Sequence, residues 1–379
     1  MKALCWAGAG LVEVRRVPDP ELRNAQDMIV RVRRSTTCGA DLPLLAGRVP
    51  EASAGEVLGR EFLGDVVEVG PEVRRHRVAD RVVVGAAVAC GACWFCRQGM
   101  PSCCDNGTGG VAAEPEWGQP PAGGYGRPAR LGGFAGGHAE YVRVPYADVG
   151  AFAVPESVSD ERAVFAADAA PAGWYGAELG EVAPGDVVAV WGAGAVGQLT
   201  ADAAVARGAD RVVVVDDRDD RLRMVTGHDG VEALNHRYVD VLAELRERSG
   251  GRGPDVCVDA SGMTAAGPGR WPAAEPDGGA ALREAVHACR KGGVVVVLDA
   301  RPGFVDRFPL GAFADKGLAV RAARRRGGAA IPALLERMAR DELVTEHLAT
   351  HRMPLERGAE GYALFRDRAD GCVRVVFTP

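Results

Sequence analysis

Nowhere in the 379 residues is there an apolar run as long as a membrane span, which needs about 20 consecutive residues. No basic patch recurs either. The formal net charge is −6, so neither a nucleic acid nor a membrane surface is an expected partner, and the short run Arg324–Arg326 reads as solvated surface. A secretory leader is not expected either. Leu4–Val12 is apolar and follows Lys2, but Gly8 and Gly10 interrupt it, and it passes into Glu13-Val14-Arg15-Arg16-Val17 without a cleavage-like site. That pattern reads as a first β-hairpin. Ten cysteines in such a chain point to thiols and metal rather than to a disulfide framework, and so to a cytoplasmic protein.

What is present begins with length. A chain of 379 residues exceeds the usual single hydrophobic core, so two domains are expected. The strongest local signal is DVVAVWGAGAVGQLTADAAVARGADRVVVVDD, Asp186 to Asp217. Val187–Trp191 has the length of a buried strand, Gly192, Gly194 and Gly197 form G-x-G-x-x-G around Val196, and an alanine-rich helix follows to Arg207. Here the first glycine permits the turn, the second lets a pyrophosphate approach the backbone, and the third lets helix and strand pack closely. The phosphates are expected on free N–H groups at the helix N-terminus. The next strand, Arg211–Val215, ends in Asp216, nineteen residues after Gly197, where a carboxylate accepts from the adenosine ribose hydroxyls. Such a carboxylate repels a 2′-phosphate, which favours NAD over NADP, although Arg218 and Arg221 lie close enough to host that phosphate.

Residues 1–155 are strand-like, with Ile29–Arg33, Phe62–Val69, Arg81–Val84 and Ala139–Val144 carrying β-branched or apolar alternation. Segments 107–137 and 264–280 read as loops. From Glu161 the pattern turns helical. Beyond the dinucleotide unit, a helix near Val239–Glu247, a strand Asp255–Asp259, a helix Ala281–Cys289 and a strand Val294–Leu298 alternate as a doubly wound parallel α/β sheet requires. The tail, with a helix at Pro332–Arg340 and a last strand Val373–Phe377, does not fit that sheet and can return to the first domain.

Cys90, Cys93, Cys96 and Cys104 form C-x2-C-x2-C-x7-C in one loop. Four thiolates can close a tetrahedral shell around zinc with no position left for substrate, a structural site. Cys103 could substitute for Cys104, and Cys5, Cys257, Cys289 and Cys372 read as packing residues.

Together these signals resemble the zinc-containing medium-chain alcohol dehydrogenases over essentially the whole chain. CWFCRQGMPSCCDN, GGYGRPARLGGFAGGHAEYVRVPYAD, the D-x-x-P-x-G-W at Asp168–Trp174 and RDRADGCVRVVFTP are similar to the glutathione-independent formaldehyde dehydrogenase branch. The resemblance implies a Rossmann domain at 156–300, and a β-rich GroES-like catalytic domain at 1–155 and 301–379 with a structural zinc lobe at about 88–106. It also implies a homo-oligomer, dimer or tetramer, and a basic residue near the cofactor phosphates at Arg374. His138, in the family's G-G-x-A-E-Y stretch, reads as structural.

Three positions depart from the family pattern. The family's catalytic zinc is held by a Cys, a His from G-H-E and, in this branch, an Asp; the matching residues are Cys38 in T-C-G-A-D, Arg60 in G-R-E, and Asp168. A guanidinium has no lone pair for a metal. Ala40 stands where the family has a proton-relaying Ser or Thr, and Pro43 where this branch has a histidine. Three outcomes follow. The leading one has Arg60 replacing the metal, its charge ion-paired among Cys38, Glu61 and Asp168, in an NAD(P)-dependent reductase or dehydrogenase of bacterial specialised metabolism that acts on a small polar carbonyl, imine or alcohol. In the second, Glu61 completes a Cys38–Glu61–Asp168 zinc site and Arg60 points away. In the third, the protein binds NAD without turnover.

Overall fold

The computed structural model describes residues 1–49, 51–107, 122–227, 230–262, 278–298, 305–322 and 327–379. The expectations for 108–121, for 264–277 and for Arg324–Arg326 lie outside the described residues. The chain divides into two compact units, Met1–Pro171 with Arg324–Pro379, and Ala172–Ala323.

The second unit is built on valine. Six parallel strands stand in the order Val231–Asn235, Arg211–Asp216, Val187–Trp191, Val256–Asp259, Val294–Val297 and Ala319–Ala322. Uninterrupted apolar strands suit a sheet covered on both faces. Val188, Val190, Val212, Val214, Val256 and Val258 point to one core, whereas Ala189, Trp191, Val213, Val215 and Cys257 point to another. The helices Ala195–Ala206 and Ala280–Ala288 connect successive strands. The sixth strand lies beyond residue 300, where the sequence reading ended this domain. It has only four residues with no fully buried position, too weak a pattern to read as a sheet strand.

The first unit is organised by an antiparallel sheet around Met28–Thr36, which pairs with Glu61–Val69 and Tyr141–Val144. Met28, Val30 and Val32 face the core with Phe62, Val66, Val82 and Val142, while Arg31 and Arg33 on the opposite face each meet Asp65 at 3.0 Å. The chain's end returns here, because Val375–Thr378 pairs antiparallel with Met28–Thr36. That return brings the helix Gly358–Asp367 against Leu4, Leu58 and Phe377, with Tyr362 and Phe365 buried beneath it.

A buried polar chain fastens the return. His138 Nδ1 lies 2.8 Å from Ser35 Oγ and its Nε2 3.0 Å from Tyr362 Oη, while the Tyr362 hydroxyl donates to Asp41 Oδ2 at 2.8 Å. Because Tyr362 gives its proton to Asp41, its oxygen accepts from His138 Nε2–H, and Nδ1 accepts from Ser35. His138 and Ser35 have no solvent exposure, and burial pushes the His138 imidazole down to about 3. An unfolded histidine takes a proton near pH 6.5. Between pH 6.5 and about 3 the unfolded chain therefore binds a proton that the folded chain refuses, so this stabilisation is complete above 6.5 and lost on acidification.

By pH 4 the loss reaches the order of 3 kcal/mol. His138→Gln should accordingly flatten the fall in unfolding free energy between pH 6.5 and 4, measured by urea titration. Parallel slopes for the two proteins would mean that His138 takes up its proton without unfolding.

Candidate active site

The glycine turn is dictated by close contacts. Gly192 has φ +103°, and a Cβ on it would stand 2.6 Å from the carbonyl oxygen of Ala260. A Cβ on Gly197 would stand 1.7 Å from the carbonyl oxygen of Gly192, so helix and turn can approach only without one. Gly194 differs: the nearest atom to its absent Cβ is Arg221 Nη1, at 3.9 Å. No other described residue comes within 4 Å of that position, and a bound pyrophosphate suits the space. Val196 lies in the first turn of the helix Ala195–Ala206, and its carbonyl accepts from Thr200 Oγ1 at 2.8 Å. Asp216 Oδ2 accepts from Ala193 N–H at 2.7 Å and Oδ1 from Asp217 N–H at 2.7 Å. With the Arg218 N–H also donating to Oδ1 at 3.0 Å, these bonds hold the carboxylate against the turn and leave Oδ2 a lone pair for a ribose hydroxyl.

The cysteine loop converges as a donor set. The Sγ atoms of Cys90, Cys93, Cys96 and Cys104 all lie within 4.8 Å of one another, and Cys103 is not in that group. Cys90 Sγ accepts from Ala92 N–H at 3.4 Å, Cys93 N–H at 3.3 Å and Asn106 Nδ2 at 3.4 Å, while Cys104 Sγ accepts from Cys90 N–H at 3.2 Å. Burial works to raise the Cys90 thiol, but those donors outweigh it and bring it down to about 6. Four mutually close sulfurs with N–H support fit a tetrahedral thiolate metal.

The second cluster is mostly buried, with Asp168 its partly exposed member. Cys38 Sγ, a Glu61 carboxylate oxygen and an Asp168 carboxylate oxygen lie within 4.8 Å of one another, with Cys38 Sγ 3.9 Å from Asp168 Oδ2. Cys38 opens the short 3-10 turn Gly39–Asp41, Glu61 begins its strand, and Asp168 precedes the helix Ala169–Leu179. Burial pushes the Cys38 thiol up to about 12 and the Glu61 carboxyl up to about 7, in both cases against the pull of Arg374. Glu61 Oε1 is buried without a hydrogen bond. A buried carboxylate oxygen that holds an ion pair but no hydrogen bond, and a thiol that ionises only with help, are groups a divalent metal satisfies.

The arginines are placed differently from expectation. Among the described residues Arg60 forms no ion pair with Glu61 or Asp168; its Nε lies 3.9 Å from Asp41 Oδ1. The cation beside Glu61 is Arg374, with Nη2 3.2 Å from Glu61 Oε1, Nη1 donating to the Thr37 carbonyl, and its guanidinium 5.8 Å from the centre of the Phe365 ring. Arg374 is buried, so it is not a surface-strand residue. Burial works against the charge on both arginines, yet the surrounding acidic groups hold both above the ordinary guanidinium value.

Sequence reasoning missed Asp41, which accepts from Cys38 N–H at 3.1 Å and from Tyr362. Its place three residues after Cys38 is a turn-capping spacing that could have flagged it. Tyr362 carried no signal.

A parallel dinucleotide-type sheet joined in one chain to a β-rich unit with a cysteine–carboxylate cluster defines an NAD(P)-dependent medium-chain oxidoreductase. The alcohol dehydrogenase GroES-like domain matches residues 24–156 and the zinc-binding dehydrogenase domain residues 195–267. The zinc-type alcohol dehydrogenase-like protein AdhB of Bacillus subtilis (strain 168) is 33% identical over 393 aligned positions covering 100% of both chains. A glutathione-independent formaldehyde dehydrogenase of Pseudomonas aeruginosa is 32% identical over 71% of this chain and 67% of its own. The structure of the alcohol dehydrogenase TADH from Thermus sp. ATN1 superposes with a TM-score of 0.85 at 30% identity, covering 100% of this chain and 99% of that one. The chain belongs to the zinc-type medium-chain alcohol dehydrogenase family.

Two glycine variants separate packing from cofactor contact. Gly197→Ala should lower unfolding free energy by about 2 kcal/mol or more, read by urea denaturation. Gly194→Ala should unfold like the native protein and yet lose NADH fluorescence enhancement. Equal NADH binding by Gly194→Ala would remove the pyrophosphate from that space.

Proposed function

We propose that this chain is a zinc-dependent dehydrogenase or reductase that passes hydride between NAD and a small polar substrate, with Cys38, Glu61 and Asp168 as the metal-holding set. The single observation that carries the reading is the convergence of those three donor atoms within 4.8 Å while Arg60 is turned to Asp41. Charge supports it as well. Arg374 answers Glu61 and Arg60 answers Asp41, so a divalent ion answered by the Cys38 thiolate and Asp168 leaves no net charge in a mostly buried site, the condition under which buried charges are tolerated. A second zinc belongs to Cys90, Cys93, Cys96 and Cys104.

The work of the protein's own residues follows from position. Gly194 leaves room for the pyrophosphate, Arg221 stands beside it, and Asp216 faces the ribose, which favours NAD over NADP. A zinc at the cluster supplies a Lewis acid for the substrate oxygen. Arg374 and the Ala169 N–H, 3.4 Å from Glu61 Oε2, keep Glu61 aimed at the cluster. Ala40 offers no hydroxyl and Pro43 no imidazole, so the substrate's proton does not travel through either side chain.

The alternative, Arg60 standing in for the metal, draws on its 15% side-chain exposure beside fully enclosed Glu61. Elemental analysis of freshly purified, unchelated protein separates the two. Two zinc per chain in the native protein, falling to one in both Asp168→Asn and Cys104→Ser, is the expected outcome. One zinc in the native protein and two in Arg60→His would overturn the proposal and give the metal's place to the arginine.

A further inference from the structure

We propose that Arg60 is the receptor for a carboxylate on the substrate, which makes the substrate class a small oxo- or hydroxy-acid. This inference rests on the reading of the Cys38–Glu61–Asp168 cluster as the reaction centre, and it deepens that reading.

Among the described residues Arg60 is a cation without a hydrogen bond. Among the described residues its one ion-pair contact is the 3.9 Å approach of Nε to Asp41 Oδ1, outside hydrogen-bonding range, and both atoms are buried with no hydrogen-bond partner. Asp41 is held where it is, because its other oxygen takes the Cys38 N–H at 3.1 Å and the Tyr362 hydroxyl at 2.8 Å. The contrast with Arg374 is informative. Arg374 has 4% side-chain exposure and is committed to Glu61 and the Thr37 carbonyl, whereas Arg60 keeps 15% of its side chain open. A guanidinium presents its donors as a planar fork, matched by the two oxygens of a carboxylate.

Charge selects the class of anion. With zinc bound and Cys38 ionised, the site's groups sum to zero because Arg60 is present; a neutral side chain at position 60 would leave one negative charge in surplus. A monoanionic carboxylate bound there adds one unbalanced negative charge and a dianionic phosphate two, so the carboxylate is the anion the site admits at lower cost. Neutral alcohols gain nothing from the arginine. A carboxylate within a few bonds of the reacting carbon gains a charge-assisted contact that also fixes its orientation, the form in which binding strength becomes positioning.

The test uses the full-length NADH complex titrated with acetate and with acetamide, similar in size and different in charge, at constant ionic strength and with NADH fluorescence as the readout. The native protein should hold acetate at least about tenfold more tightly than acetamide. Arg60→Gln should lose that preference while binding acetamide as before. Arg60→Lys keeps the charge without the fork, and should weaken acetate severalfold and leave acetamide unchanged. Equal affinity for the two probes in the native protein would overturn the proposal. So would a preference that survives in Arg60→Gln, since acetate would then be answering to the metal. Zinc measured on the same samples keeps the two ideas apart: one zinc per chain in the native protein sinks the metal reading, while the acetate comparison still judges Arg60.

Discussion

A carboxylate with no access to water must find a cation, and in this protein Glu61 finds Arg374. Glu61 has 0% side-chain exposure and Arg374 4%, so removal of either would strand a buried charge at a cost of several kcal/mol. The partners are far apart in sequence, and bringing them together obliges the C-terminal segment to return to the N-terminal sheet. The return is secured on both sides of the pair: Thr37 N–H donates to the Val375 carbonyl at 3.1 Å, and Val375 N–H donates to Thr37 Oγ1 at 3.1 Å. The first unit is discontinuous in sequence, and Glu61 and Arg374 come from its two separate stretches.

The same constraint explains the second pair and its incompleteness. Asp41 is as deeply buried as Glu61, but its strong contacts are to a backbone N–H and a tyrosine hydroxyl, with Arg60 held only electrostatically. Hydrogen bonds from neutral donors let Asp41 carry charge in a dry place, which leaves the guanidinium's own donors uncommitted. One buried pair is thus closed and structural, and the other is open on one side.

How much of this could be read from the sequence depended on distance along the chain. The dinucleotide unit was legible because its glycine spacing is imposed by contacts a few residues apart, Gly197 against Gly192 above all, and because valine runs mark strands covered on both faces. The cysteine loop was legible for the same reason, with four donors inside fifteen residues. Cys38, Glu61 and Asp168 came together only through family resemblance, since no periodicity links them. The Asp41–Tyr362 bond spans 321 positions and the His138–Tyr362 contact 224; a lone tyrosine in a C-terminal helix carries no mark of either. The sequence reading therefore assigned Arg60 to the acids it could see, Glu61 and Asp168, whereas folding gave Glu61 to Arg374 and left Arg60 beside Asp41. The strand Ala319–Ala322 was missed for a different reason, being short and nowhere fully buried.

The chain of Ser35, His138, Tyr362 and Asp41 reaches the Cys38 N–H and has the look of a proton path, which would matter for the proposed site, where Ala40 and Pro43 supply none. Its energetics argue otherwise. An imidazole that burial holds at about 3 takes a proton at pH 7 only at a cost on the order of 5 kcal/mol, and Ser35, where the chain ends, is itself closed off from solvent. A path with a high step in the middle and no exit orients groups and does not conduct protons. Its effect is on Asp41, whose carboxylate it turns so that one oxygen serves Cys38 and Tyr362 and the other faces Arg60. A proton released at the cluster must therefore leave by way of the substrate's own surroundings. A substrate carboxylate clamped by Arg60 would stay deprotonated, so it would orient the reacting carbon without taking up its proton, and the cation at position 60 does not make good the missing hydroxyl at position 40.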